Sequence, residues 1–592
     1  MADDRRSRRR QWAEALRLAW GSSPATAAVW VAVMGWMAIL PLAIAWVGKS
    51  IVDAVVARSL ESALTWVVVE LLLMSIMGAA GRATGVLRML LGIRLGLFVN
   101  LKLLRKALSL DLLQFQDPEF YDRLTRARRE ASSRPLALAS ELLALTGSLV
   151  TLLGFIALLL SFSPPAVLVL VLAAFPAALA ELRFSREAFE LRNRRATEAR
   201  RLGYLEYVLA SDEHAKEVMM LDLGPTLLTR YEQVGERLWR EERALTLRRT
   251  IWVTLLAQVG ALSFYGCYVL IVWRAVTGEI GLGDMTLYVV AFRQGQQMFQ
   301  AILLGMGSLY EHELYMSNLL EFLDMDTTRP GPLALPAGRT ERRGVRFEDV
   351  GFRYPGQEAF ALRHVDLEIP AGTSVALVGH NGAGKSTLIK LLTGLYEPTE
   401  GRVLLDGVDL RQIPREELRR RLAVVFQDFN QYQFTAGENV GYGRMELAND
   451  AAEIARAVDD GGARTVIEGL PAGLATQLGR WFPGGVELSG GEWQRVALAR
   501  AFMRRAADVL VLDEPTAALD VEAEAEVFAR VRSLAAGRTV LLISHRFANV
   551  RLADRIVVLA RRGVVEAGSH AELMALDGHY AAMFRKQAQG YA

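Results

Sequence analysis

The stretch TSVALVGHNGAGKSTLIKLLTGL, residues 373–395, decides the reading of this chain. Its start is an apolar run of the kind that forms a short buried strand, and its end carries apolar residues at helical spacing. Between them lie Gly379, His380, Asn381, Gly382, Ala383, Gly384, Lys385, Ser386 and Thr387, which satisfy the P-loop pattern in the strand-loop-helix context that the pattern requires. Glycines let the backbone wrap closely, so that successive N–H groups and the helix N-terminus surround phosphates. Lys385 would reach the β- and γ-phosphates of a nucleotide, and Ser386 would ligate Mg2+.

Other apolar strands follow the same logic. VLVLDEP (509–515) ends in Asp513, and the carboxyl ends of strands are where ligands bind in open α/β sheets. A carboxylate there can hold Mg2+, while the adjacent Glu514 points differently and can polarise an attacking water as general base. VVFQD places Gln427 after a strand, where it can orient water or Mg2+. LLISHR places His545 after another, within reach of a γ-phosphate. Taken singly, each of these two reads first as an ordinary loop residue. Tyr354, in FRYPG, reads either as a platform for adenine or as core packing. A second glycine-rich helix opening, ELSGGEWQRVALAR (487–500), brings Ser489, Gly490, Gly491 and Glu492. It looks redundant beside a complete P-loop.

Outward from these motifs, the composition divides. The chain has 592 residues, 52% of them hydrophobic and 22% charged, and the apolar excess lies before about residue 320. The run PATAAVWVAVMGWMAILPLAIAWV (24–47) is uncharged and exceeds the roughly 20 residues a bilayer demands. Further runs cover about 63–81, 138–162, 165–182 and 251–273, and a weaker sixth covers about 285–310. One soluble core helix explains one such run but not five. The basic start, DDRRSRRRQW, precedes a run too long for a signal peptide. Basic residues crowd that start and the segments around 82–134 and 183–249, which the positive-inside rule places in the cytoplasm. Both segments read as helices continuing out of the membrane, each with a short helix at its tip as a docking surface (near 117–123 and 211–217). Six crossings return the chain to the cytoplasm.

Glu70, Arg293, Gln294, Gln296 and Gln297 fall within spans, where an ionisable or polar group must face a cavity or a partner helix. Glu70, Arg293 and Gln297 are candidates for a substrate pathway; the competing reading is structural bonding between helices. The lone Cys267 excludes an intramolecular disulfide and any multi-cysteine metal site, and reads as a small buried hydrophobe. The net charge of +3, with dispersed arginines, argues against a nucleic-acid partner. The expected organisation is a basic N-terminal segment (1–23), an all-α transmembrane domain of six helices (24–323), a proline-bearing linker (324–344) and an α/β P-loop ATPase domain (345–592).

P-loop, Gln427, LSGGEWQR, VLVLDEP, AALD and His545 occur in the order found in the ATP-binding cassette ATPases. With the six-span domain ahead of them, the whole chain resembles a half-size ABC exporter of the type IV arrangement. The resemblance implies ATP and Mg2+ as cofactors and a second half-transporter as partner. It assigns Tyr354 to adenine, residues 379–387 to phosphates, and Gln427 to Mg2+ and communication with the membrane domain. Asp513 goes to Mg2+, Glu514 becomes the base, Asp520 a dimer contact and His545 the γ-phosphate switch. Ser489, Gly490, Gly491 and Glu492 then serve the ATP held by the partner's Lys385. The complete catalytic set points to a homodimer in the cell membrane, with the N-terminus and ATPase domain cytoplasmic. It implies export of a peptide, drug-like or lipidic amphiphile; the alternatives are a lipid flippase and an importer of exporter-like fold. Leader-peptide cleavage is not expected, since no peptidase-like domain precedes the first span. One departure is TQLGRWFPGGVELSGGE, where Arg480 replaces an acid usual in exporters; this form resembles some bacterial peptide and antibiotic exporters.

Overall fold

The computed structural model describes residues 2–116, 124, 134–162, part of 168–194, 195–325, 343–515, 529–530, 532–533 and 537–589. The chain forms two compact units, Met1–Ser109 with Tyr121–Asp326 and Leu110–Phe120 with Thr327–Ala592.

The first unit is helical. Pro24–Val56, Leu60–Leu108, Arg134–Phe162 and Gly224–Val276 each hold a window long and apolar enough to cross a bilayer. Pro24 starts its helix because proline has no N–H to satisfy in the first turn and its φ is already helical. Leu60–Leu108 has 49 residues and Gly224–Val276 has 53, more than twice the roughly 20 a bilayer requires. Both therefore continue past their apolar windows, as the charge pattern predicts. Beyond one such window, Arg195 reaches Glu241 and Glu242 at 2.9 Å each, and Arg237 reaches Glu198 at 3.2 Å, fastening Ala196–Ala210 to the long helix Gly224–Val276. The sixth expected span lies within the helix Leu282–Leu323; the fourth, 165–182, falls mostly outside the described residues. Phe155, Leu159, Leu287, Ala291 and Phe292 pack around buried Cys267, which is the small hydrophobe that its setting suggests. Outward, Leu64, Val68, Leu71, Leu72, Ile251, Leu255 and Leu262 are exposed in large part, as helices facing lipid require.

Of the two expected tip helices, Asp212–Met220 is present in the first unit. The segment 117–123 lies outside the described residues. Just ahead of it, the one-turn helix Leu112–Phe115 belongs to the second unit. Leu112 and Leu113 pack on that unit's core, the hydroxyl of Tyr396 donates to Gln116 Oε1 at 2.7 Å, and Asp111 pairs with Arg415.

The second unit carries two sheets. Strands β1 (Gly344–Phe352), β2 (Leu362–Pro370), β4 (Glu400–Leu405) and β5 (Val408–Asp409) form an antiparallel sheet ordered β2-β1-β4-β5. The other sheet is ordered β10-β9-β3-β8-β7-β6, from β3 (Ser374–Val378), β6 (Leu422–Val425), β7 (Val509–Asp513), β8 (Thr539–Ile543), β9 (Arg555–Ala560) and β10 (Gly563–Gly568). It is parallel apart from the β9–β10 hairpin. Every residue of β7 and β8 is buried, which is why these strands read as unbroken apolar runs. Because β3, β8, β7 and β6 are neighbours running the same way, their carboxyl ends lie in one row.

Candidate functional site

At the end of β3 the chain turns through two strained glycines. Gly379 has φ +154°, and a Cβ there would lie 2.3 Å from the Leu559 carbonyl oxygen. Gly384 has φ +100° at the N-cap of the helix Lys385–Leu392, where a Cβ would come within 2.4 Å of Leu362 Cδ2. At Gly379 a side chain would press on backbone, and at Gly384 the left-handed φ alone disfavours one even if Leu362 gives way. The loop curls around Lys385, whose ammonium donates to the carbonyls of Gly379 (2.7 Å) and His380 (3.2 Å). His380, Asn381, Gly382 and Ser386 are exposed, Ala383 is half-buried and Thr387 is buried. The loop thus opens to solvent on the side where phosphates would enter. Burial lowers the Lys385 pKa from its ordinary value, against the opposing pull of Glu514 and Asp513.

β7 delivers the acids. Asp513 is 4% exposed, and its Oδ1 is buried with no hydrogen-bond partner. Burial first, then the Glu514 charge, raises its pKa to about 6, although a hydrogen bond from Ser386 and the nearby Lys385 work the other way. An orphaned buried carboxylate oxygen beside a serine hydroxyl is a place prepared for a hard cation, which takes oxygen ligands. Gln427, after β6, can add an amide oxygen. Among the described residues the donor set for Mg2+ is thus all oxygen, and it fits.

Glu514 leaves β7 with φ +49°, a left-handed conformation unusual for a residue with a side chain. Four residues hold it there. Its N–H donates to the Ile543 carbonyl at 3.0 Å, continuing the register in which Asp513 pairs with Ile543. Its carbonyl accepts from Gln494 Nε2 at 3.1 Å. Its carboxylate lies 2.9 Å from His545 Nε2 and accepts from Gln427 Nε2 at 3.1 Å. The structure therefore gathers Gln427, Glu514 and His545 into one cluster and seats Lys385, Ser386 and Asp513 in a second, charge-coupled one.

Tyr354 is half-buried, edge-on to Phe352 and Tyr396, and its hydroxyl shares a 2.9 Å hydrogen bond with Thr387 Oγ1. The ring packs on the core, as one of its two readings has it, and its hydroxyl touches the last P-loop residue. Asp520 lies outside the described residues.

Ser489 caps the helix Gly490–Phe502. Its N–H and hydroxyl donate to Glu492 Oε2 at 2.7 and 2.8 Å, and the Glu492 N–H returns to Ser489 Oγ at 3.4 Å. Glu492 therefore holds the cap, a role that its sequence position three residues after Ser489 also allows. Ser489 and Gly490 are exposed, and no hydrogen bond among the described residues links 489–492 to the loop 379–387. Just before them, Arg480 pairs with Glu487 at 3.7 Å, Trp481 N–H donates to Gln433 Oε1 at 3.2 Å, and the Trp481 ring is 81% exposed. Of the membrane candidates, Arg293 and Gln297 are exposed one turn apart on Leu282–Leu323, and Glu70 is half-buried on Leu60–Leu108.

Gln494 went unread in the sequence although it sits inside the quoted motif. At 2% exposed among Trp493, Val496 and Ala497, it is a polar residue on a core face. A polar residue in a buried helical register is the signal that could have marked it.

The sequence profile of the family described as ABC transporter matches residues 362–517. The subtilin transport ATP-binding protein of Bacillus subtilis is 32% identical over 490 residues, covering 81% of this chain and 78% of that protein. The chain belongs to the ABC transporter family. Within that family its relatives are exporters. The nisin transport ATP-binding protein of Lactococcus lactis is 26% identical over 83% of this chain and 82% of its own length. An ATP-dependent lipid A-core flippase of Chromohalobacter salexigens is 43% identical over 41% of each chain. In fold, this ABC exporter is similar to a bacterial Atm1-family ABC exporter solved with ATP bound, at a TM-score of 0.80 and 24% identity over 95% of this chain and 98% of that one. It is thus an ATP-hydrolysing membrane transporter, a helical membrane domain followed by an α/β ATPase domain, of a family that generally works as a dimer.

Proposed function

We propose that this ABC exporter is a homodimer that drives an amphiphilic peptide outward across the cell membrane, with its N-terminus and ATPase domain in the cytoplasm. The membrane domain spans 24–323 and the ATPase domain 345–592, with 324–344 as the linker. One observation carries the substrate reading. The two relatives named for transport of subtilin and nisin match 81% and 83% of the chain, well into the membrane half that must recognise cargo. The flippase relatives match 41–64% of it.

At each nucleotide site, residues 379–387 wrap the phosphates, with Lys385 turning from Gly379 and His380 towards the β- and γ-oxygens. Ser386, Asp513 and Gln427 would hold Mg2+, which neutralises phosphate charge when bound. Tyr354 contacts adenine. Glu514 accepts the proton of an attacking water, and His545 orients its carboxylate and meets the γ-phosphate. The Ser489 N–H is taken by Glu492, so it is the N–H groups of Gly490 and Gly491, in the first turn of the exposed helix start, together with the Ser489 hydroxyl, that would meet a second copy's ATP. Asp520 contributes to that contact. Glu70, Arg293 and Gln297 line the cargo pathway; exposure of the last two on one face of a membrane helix supports this.

The test is ATPase and uptake in proteoliposomes of the purified full-length dimer, probed with nisin, subtilin and lipid A. Saturable stimulation by a peptide, with ATP-dependent uptake into inside-out vesicles, is the expected result. Stimulation by lipid A alone would replace the peptide reading with flipping, and movement in the opposite direction would make it an importer.

A further inference from the structure

The last helix of the chain, His579–Gln589, reaches back to the cluster around Glu514 through one side chain. Gln587 Oε1 accepts the N–H of Phe547 at 3.0 Å, and Gln587 Nε2 donates to the carbonyl of His545 at 2.8 Å. A single primary amide thus brackets Arg546, pairing with the His545 carbonyl before it and the Phe547 N–H after it. The segment needs such a partner. It has just left β8, so the ladder no longer serves its backbone; its local bonds include Arg546 N–H to Ser544 Oγ at 3.1 Å and Asn549 N–H to the Arg546 carbonyl at 3.0 Å.

The helix that carries Gln587 is itself well fixed. Glu566 accepts the N–H groups of His579 (2.5 Å) and Tyr580 (2.9 Å) at its start. Tyr580 is fully buried, its hydroxyl 2.7 Å from His570 Nδ1. Phe584 meets the Phe547 ring edge-on at 5.7 Å. Gln587 is the final contact of a helix anchored along its length, and it acts on the residue whose imidazole lies 2.9 Å from Glu514.

We infer that the carboxy-terminal helix, through Gln587, is a positioning element for His545, so that hydrolysis depends on a contact outside every nucleotide motif. The inference rests on the role given to His545 above. A bland alternative is that Gln587 merely steadies a turn; it would then change stability and leave turnover alone. The geometry argues otherwise, because one bond holds the carbonyl of His545 itself and the other fixes the chain two residues on, so the backbone that aims the imidazole is tied on its carboxyl side. Displacing a reacting group by about 1 Å can cost on the order of a hundredfold in rate.

The experiment uses the full-length transporter in lipid, comparing Gln587→Ala, Gln587→Met and His545→Ala with the wild type. The expected result is kcat lower by on the order of tenfold in both Gln587 variants, with KM for ATP and melting temperature near wild type. Folded variants with wild-type kcat would overturn the inference, provided that His545→Ala is impaired. If His545→Ala keeps full activity, the role of His545 fails first and the inference falls with it. Hydrogen exchange at the Phe547 amide of the wild type decides the matter should neither variant fold. Slow exchange supports the clamp, and exchange at the rate of an open loop removes it.

Discussion

Replacing Gln494 with leucine is the perturbation whose consequences the structure defines most closely. The side chain is 2% exposed and donates to the Glu514 carbonyl at 3.1 Å. Leucine is close in volume but leaves that carbonyl without this donor, at a cost of about 1–3 kcal/mol for a buried unsatisfied group. Glu514 already bears the strain of φ +49°, about 1–2 kcal/mol for a residue with a side chain. Against these stand the Glu514 N–H bond to Ile543, 3.0 Å long and worth about 1 kcal/mol net, and the half-exposed carboxylate contacts with His545 and Gln427, worth about 1 kcal/mol together. The balance favours release of Glu514 from its left-handed conformation, which would carry the carboxylate away from His545 and Gln427. A misplaced general base costs up to about 10²-fold, so kcat should fall roughly 10- to 100-fold. Affinity for ATP should hold, because Lys385 and the P-loop glycines are set by other contacts. The assay is steady-state ATPase of the purified full-length variant, with ATP binding and thermal unfolding measured on the same preparation. A folded Gln494→Leu protein with kcat within about twofold of wild type would refute the reasoning.

Glu514→Gln keeps the shape and the contact with His545 but cannot take a proton. Its turnover should fall 10²- to 10⁴-fold, about 3–5 kcal/mol of barrier, with ATP still bound, and wild-type-like ATPase would remove Glu514 as the base. Full-length Ser489→Arg and Lys385→Ala chains, each inactive alone, should partly recover ATPase when co-expressed, since one composite site of the mixed dimer carries both defects and the other neither. Heterodimers purified through two tags that show no recovery would rule out use of Ser489 across subunits. Asp406→Ala should destabilise the ATPase unit by about 3 kcal/mol, because Asp406 Oδ1 accepts the N–H groups of Arg343 and Gly344 (2.8 and 2.9 Å) and its Oδ2 pairs with Arg421. Denaturant unfolding followed by the buried Trp493 reads this out, and a loss below about 1 kcal/mol contradicts it.

The chemistry of the site was legible because phosphate binding places rigid demands on local sequence. Only glycine tolerates φ +100° beside Leu362, as at Gly384, and only a strand end delivers adjacent acids with different directions, as at Asp513 and Glu514. These constraints act over a few residues and therefore appear as motifs. The membrane half was legible for a different reason: a bilayer imposes a minimum apolar length, which composition alone reveals. Gln494 and Gln587 were not legible. Each acts through a backbone group 20 or 40–42 positions away, and an amide that serves such a partner leaves no periodicity or spacing. Glu492, read as a ligand, also closes its own helix cap, a role that its spacing from Ser489 allows and the coordinates show.

The sequence by itself determined which residues could hold a nucleotide and that the chain enters a membrane, since both follow from local backbone geometry and apolar length. Tertiary structure alone decided how those residues meet. The order β3-β8-β7-β6 is not the order of the chain, yet it sets the carboxyl ends of the strands bearing Lys385, His545, Asp513 and Gln427 side by side. It also placed Gln494 and the carboxy-terminal Gln587 against the backbone of Glu514 and His545. The physical reason is that parallel strands must be joined by long crossovers, so a site at their ends is assembled from segments that only the folded sheet brings into register.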